Sequence, residues 1–134
     1  MDEVLRRFFE ARPEVRLAYL FGSHARAEAT PLSDLDVGVW LDPVPEDPLA
    51  LARLAVELGR ELSMDPDQVD LRELRGASLQ FLYNVVRDGR CVFVRDERER
   101  VAFESRAVMD YLDFQPKLEE YDRAQRERLR RASA

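Results

Sequence analysis

The chain has 134 residues, 46% of them apolar, and a formal charge of −6. That is enough for one folded core, and the acidic balance excludes a general nucleic-acid binder, which must neutralise phosphates. Cys91 is the only cysteine and His24 the only histidine, which excludes an internal disulfide, a cysteine zinc cluster and a histidine-rich metal centre.

Val4, Leu5, Phe8 and Phe9 recur at helical spacing, and Pro13 closes that first helix. Val15 to Phe21 is apolar on both faces and predicts a strand buried within a sheet. Gly22-Ser23 turns the chain, and a short helix is expected from there to about Ala29. Thr30 to Ser33 reads as a loop. A second strand runs from Asp34 to Leu41, with Asp34, Asp36, Gly38 and Trp40 on one face and Leu35, Val37, Val39 and Leu41 on the other.

Pro43, Pro45 and Pro48 mark a rigid connection. Asp47-Pro48 predicts an N-cap with proline at the first helical position, and Leu51, Ala55, Leu58 and Leu62 form the buried stripe of the helix that follows. Val69 and Leu71 flank Asp70 in a short third strand, which puts Asp70 on the opposite face. Leu79, Leu82, Val85 and Val86 predict a helix closed at Asp88-Gly89, and Cys91 to Val94 is a short strand suited to an edge.

From Glu97 the chain reads as helical to near Leu129, with Val101, Val108, Tyr111 and Leu112 as its buried stripe. Pro116 is expected to kink or split it, and the last few residues to fray. The expected architecture is α/β (α+β): one small mixed sheet of about four strands, helices mainly on one face, and a C-terminal helical segment. One domain is expected over 1–134, with a core over about 1–95 and C-terminal helices over about 97–131. No apolar run approaches the roughly 20 residues that span a bilayer, and Met1 to Arg7 lacks a secretion-signal pattern. A cytoplasmic protein with no membrane partner is therefore expected.

The most specific chemistry is Gly22-Ser23 followed ten residues later by Asp34-Leu35-Asp36. Glycine lets a backbone approach phosphate, and the turn after it offers N–H groups and the Ser23 hydroxyl to an anion. Arg26 stands where a guanidinium reaches triphosphate oxygens. Two carboxylates at i, i+2 on a strand share a face and can converge on hard cations, and Asp70 can add a third from a neighbouring strand. The set reads as a site for a nucleoside triphosphate with divalent metal.

Gly22-Ser23, the ten-residue spacing and Asp34-x-Asp36 resemble the signature of the DNA polymerase beta-like nucleotidyltransferase superfamily. Ala25-Arg26, Glu28-Ala29 and Ser33-Asp34-Leu35-Asp36 resemble more narrowly its minimal nucleotidyltransferase (MNT) domains, and so does Tyr111 to Pro116 at the C-terminal end. The likeness is best over about 15–72. It implies the polymerase beta-like fold, catalysis and metal binding by Asp34, Asp36 and Asp70, and nucleotide binding by Gly22, Ser23 and Arg26. It further implies two Mg2+ ions (or Mn2+), ATP as substrate, and transfer of AMP or another nucleoside monophosphate to a hydroxyl.

MNT relatives pair with helical HEPN toxins and act as antitoxins, so the resemblance implies a HEPN toxin as partner and its tyrosine as acceptor, with no DNA. Ala27 departs from the glycine of many relatives and is expected to be tolerated in a helix. Two alternatives stand beside this reading: an antitoxin that masks its toxin without chemistry, for which Tyr111, Phe114 and Tyr121 offer apolar surface, and transfer to a small molecule such as an aminoglycoside.

Overall fold

The computed structural model describes residues 1–133; Ala134, the last residue of the expected domain, lies outside the described residues. The elements are α1 (Asp2–Glu10), β1 (Val15–Phe21), β2 (Leu35–Leu41), α2 (Ala50–Leu62), a 3-10 turn (Pro66–Gln68), β3 (Val69–Glu73), α3 (Leu79–Asp88), β4 (Arg90–Val94) and α4 (Glu97–Ser133). The four strands form one sheet in the order β3-β2-β1-β4. β1 is antiparallel to β2 and β4, while β2 and β3 are parallel. The sheet is thus mixed, and α2 provides the crossover that a parallel pair requires.

Strand alternation sorts the core into two clusters. Leu20, Leu35, Val37 and Val39 face Leu5, Phe8 and Phe9 of α1 and Leu54 and Leu58 of α2. This larger cluster lies on the face expected to carry the helices. The opposite face holds a smaller cluster of Leu17, Tyr19, Leu74 and Val85, with Trp40, Phe81 and Phe103 packed against it from β2, α3 and α4. The register of β1 shifts between Val15 and Leu17, and these two residues enter opposite clusters.

Side chains tie the layers together. Arg95 donates to the carbonyls of Phe9, Glu10, Arg12 and Val15, closing the C-terminal end of α1 onto the sheet. Arg16 pairs with Glu99, and the buried Tyr19 hydroxyl donates to Glu104 Oε1 at 2.7 Å, so two bonds hold the first turns of α4.

Four expectations require correction. The turn after Gly22 does not become a helix. α2 begins at Ala50, because Asp47 Oδ1 accepts from the Leu49 N–H at 2.9 Å in a turn that precedes it. In α4, Val101 and Leu112 are 51% and 53% exposed; Phe103, Ala107 and Tyr111, spaced i, i+4, face the body instead, and Tyr111 stacks on Tyr83 of α3 at 4.0 Å. α4 also runs through Pro116 unbroken and stays helical to Ser133.

Candidate active site

At the end of β1, Gly22 has φ +72°, a left-handed conformation open to glycine at little cost. Beyond it, the Arg26 N–H donates to the Gly22 carbonyl at 3.3 Å, the Ala27 N–H to the His24 carbonyl at 3.4 Å and the Glu28 N–H to the Ser23 carbonyl at 3.0 Å. These bonds make successive turns rather than a helix. Ala27, at φ +57°, is itself left-handed and breaks the helical path. The expectation that Ala27 suits this position as a helix former is therefore overturned, and glycine is the residue the backbone favours there.

Among the described residues, the N–H groups of Ser23, His24 and Ala25 donate to no protein acceptor. Three consecutive free N–H groups in a turn form a concavity suited to an anion. The free N–H groups expected at a helix N-terminus are presented by this turn instead.

Asp36 is the second residue of β2. It pairs in register with Phe21 on one side and Asp70 on the other. A Cβ added at Gly22 would collide with Asp36 Oδ2 and stand 3.3 Å from its Cγ. The carboxylate thus lies against the glycine, and the turn and the acid form one unit. Asp34 precedes β2 at the end of the 30–33 loop, where the Thr30 N–H donates to Ser33 Oγ at 2.8 Å. Burial pushes the Asp36 carboxyl above its ordinary value, and the charges of Asp70 and Asp34 push it the same way, while Arg72 and His24 pull it back. All three expected acids therefore act on one locus.

The acids do not form a finished cage. Among the described residues, no three Asp, Glu, His or Cys side chains converge tightly enough to hold a metal ion unaided. Asp70 is turned onto Arg72, whose Nε donates to its Oδ2 at 3.2 Å. Like-charged carboxylates repel, and a guanidinium satisfies one of them. Arg72 also stands over the Phe81 ring at 5.5 Å, and Phe81 meets Phe21 edge-on.

Arg26 is held elsewhere, its Nε donating to Glu28 Oε2 at 3.1 Å on the exposed side of the turn. Arg72 was not legible as a site residue; its signal was the i, i+2 spacing from Asp70 on one strand face. His24 lies in the turn with its Nε2 buried and unpartnered. Asp34 is exposed and Asp36 and Asp70 are half-buried, and the roughly 200 Å3 cavity lined by Trp40, Leu74, Arg75, Leu82 and Phe103 includes none of them.

A family model described as polymerase beta, nucleotidyltransferase matches residues 3–98. The chain belongs to this nucleotidyltransferase family. No curated protein sequence matches it. Among solved structures, a chain in a toxin-antitoxin with AMP-PNP is similar at 25% identity and TM-score 0.76, over 92% of this chain and 96% of that one. A chain in a variant MntA-HpeT toxin-antitoxin is 26% identical with TM-score 0.71, over 92% and 94% of the two chains. A chain in a tri-AMPylated Shewanella oneidensis HEPN toxin in complex with MNT antitoxin is similar at 24% identity and TM-score 0.70, over 92% and 93%. At that identity the last likeness speaks for the fold.

In this nucleotidyltransferase, the donor set of Asp34, Asp36 and Asp70 is all carboxylate oxygen. That is the chemistry a hard cation such as Mg2+ prefers, with substrate phosphates and water completing its shell. The residues fit such an ion once Asp70 leaves Arg72. No helix among the described residues is long and apolar enough to cross a membrane.

Proposed function

We propose that the chain transfers AMP from ATP to a tyrosine hydroxyl of a HEPN-type toxin and thereby acts as its antitoxin. The observation that carries this reading is the contact of the Gly22 turn with Asp36, itself register-paired with Asp70. It puts anion donors beside carboxylates at the end of one sheet. The likeness to a toxin-antitoxin bound to AMP-PNP supports the choice of nucleotide and partner.

Gly22 and Ser23 hold triphosphate oxygens through the free N–H groups of the turn and the Ser23 hydroxyl. Asp34, Asp36 and Asp70 would hold Mg2+, two ions being the number that clamps an in-line displacement, and Mn2+ being a substitute. Held there, such an ion would stabilise charge on the α-phosphate and ease loss of the acceptor proton. The tyrosine O–H proton passes to the Asp70 carboxylate or to water, the tyrosine oxygen forms a bond to the α-phosphorus, the bond from that phosphorus to the bridging oxygen of pyrophosphate breaks, and pyrophosphate leaves with its electron pair. Asp70, on the edge strand β3, is the carboxylate assigned to the acceptor side, and Arg72 keeps it neutralised in the resting protein. Acids this accessible leave the acceptor's walls to the partner.

The test incubates the purified chain with α-labelled ATP, Mg2+ and the helical product of the adjacent reading frame. Label on a tyrosine of the partner is expected, and Asp36→Ala should reduce it to background with an unchanged melting profile. A folded complex that takes no label refutes the transfer. Unimpaired neutralisation by a doubly substituted Asp34→Ala, Asp36→Ala chain refutes chemistry as its basis.

A further inference from the structure

α4 spans 37 residues, about 55 Å at 1.5 Å per residue, which exceeds the width of a small domain. Its core-facing stripe does not end where the body ends. Phe103, Ala107 and Tyr111 continue at 3- and 4-residue steps as Phe114, Leu118, Tyr121, Gln125 and Leu129. Phe114, Tyr121 and Leu129 are 38%, 61% and 68% exposed, because α3 and the sheet no longer reach them. The spacing is that of a coiled-coil seam, about 22 Å long from 114 to 129. Pro116 stands on the opposite side of the helix, half a turn from the stripe.

The charges flanking this stripe are segregated. Residues 110–122 carry five acids and one base, Lys117, whereas residues 123–131 carry five arginines and one acid, Glu127. Among the described residues, Glu119, Glu120 and Asp122 make no ion pair, and neither do Arg123, Arg126 and Arg128. A helix that is acidic first and basic second is complementary to itself when reversed.

The geometry points to a second copy of this chain as the occupant: the overhangs of two α4 helices pair antiparallel about a two-fold axis between Tyr121 and Asp122. In this register Phe114 meets the second copy's Leu129, Leu118 meets its Gln125, and the two Tyr121 rings meet at the centre. Along the two flanks of the seam, Glu119 falls beside the second copy's Arg126 and Asp113 beside its Arg131. Each copy contributes the same patch, so the contact closes as a dimer. The pairing is independent of nucleotide transfer.

Sedimentation velocity of the full chain across concentrations tests it. A monomer–dimer equilibrium is expected, weakened about tenfold or more by high salt, which screens exposed charges. Tyr121→Glu, at an exposed position, should give a monomer with unchanged melting. Glu119→Arg, Glu120→Arg, Asp122→Arg in one chain and Arg123→Glu, Arg126→Glu, Arg128→Glu in another should each be monomeric alone and dimerise when mixed.

In a Cys91→Ser background, Tyr121→Cys should cross-link to itself and Leu129→Cys only to Phe114→Cys. The proposal is overturned by a monomer at every concentration, by a dimer that survives Tyr121→Glu, or by self-cross-linking of Leu129→Cys, the mark of a parallel pair. It is equally overturned if the wild type stays monomeric and Tyr121→Glu abolishes binding of the helical toxin, which would make the toxin the occupant.

Discussion

Replacing Gly22 with alanine separates what the turn does for the fold from what it does for the site. The new Cβ would sit at φ +72°, a conformation that costs an L-residue about 1–2 kcal/mol. It would also lie so close to Asp36 Oδ2 that the oxygen must retreat by about 1 Å to reach ordinary contact. The carboxylate is the end of a side chain and can swing aside, so the clash adds little to the loss of stability. The melting temperature should therefore fall by only about 4–8 °C.

Transfer depends on the carboxylate's position, and a misplacement of about 1 Å costs on the order of 100-fold. The assay measures AMP transfer and thermal unfolding on the same preparation, at a temperature where more than nine-tenths of the variant is folded. In an Asp36→Ala background the same substitution should leave activity unchanged at background. Transfer by Gly22→Ala within threefold of wild type refutes the reasoning, as does an activity loss that merely follows the unfolded fraction.

Ala27→Gly should stabilise the chain by about 0.5–1 kcal/mol, the relief of a left-handed alanine less the added freedom of the unfolded chain, read as a higher denaturant midpoint. Glu73 is pushed above its ordinary value of 4.5 chiefly by burial, although the N–H groups of Arg75 and Leu41 donate to its Oε1. Its folded form holds the proton more tightly than the unfolded chain does. Its contribution is therefore complete below 4.5 and lost as pH climbs through the raised value. Glu73→Gln should flatten the fall in stability as pH rises above 4.5, and an unchanged slope would refute this assignment. Tyr19→Phe removes the bond to Glu104 but leaves Glu104 paired with Arg100 at 3.0 Å. The expected loss is about 1 kcal/mol by denaturant titration.

The strands were legible because alternation over Val15 to Phe21 and Leu35 to Leu41 leaves few other ways to bury both faces. That Asp70 points away from the core followed from the apolar Val69 and Leu71 on either side of it, whereas its register with Asp36 was not legible. Less was legible where a single backbone angle decides the outcome. The residues from Ser23 to Ala29 have adequate helix propensity, but the left-handed Ala27 leaves no mark in composition. The stripe of α4 was misassigned at Val101, two positions from Phe103, and at Leu112, next to Tyr111, because both are strongly apolar. Apolarity alone does not say which face a partner element reaches. Arg72 was hidden because an exposed arginine beside an acid usually reads as surface pairing.

Asp36 and Asp70 meet only because two parallel strands are in step. A slide of one residue would set Val69 or Leu71 opposite Asp36 and send the second acid to the wrong side. What prevents the slide is a notch and a peg. Gly38 has no side chain, and the fully buried Leu74 fills that gap, its Cδ2 standing 2.7 Å from where a Cβ would be. The Leu74 N–H meanwhile donates to the Val39 carbonyl at 2.9 Å. A lesion at either residue would part the two acids without altering one of them, so on the proposed reading a variant with every carboxylate intact can still lose transfer.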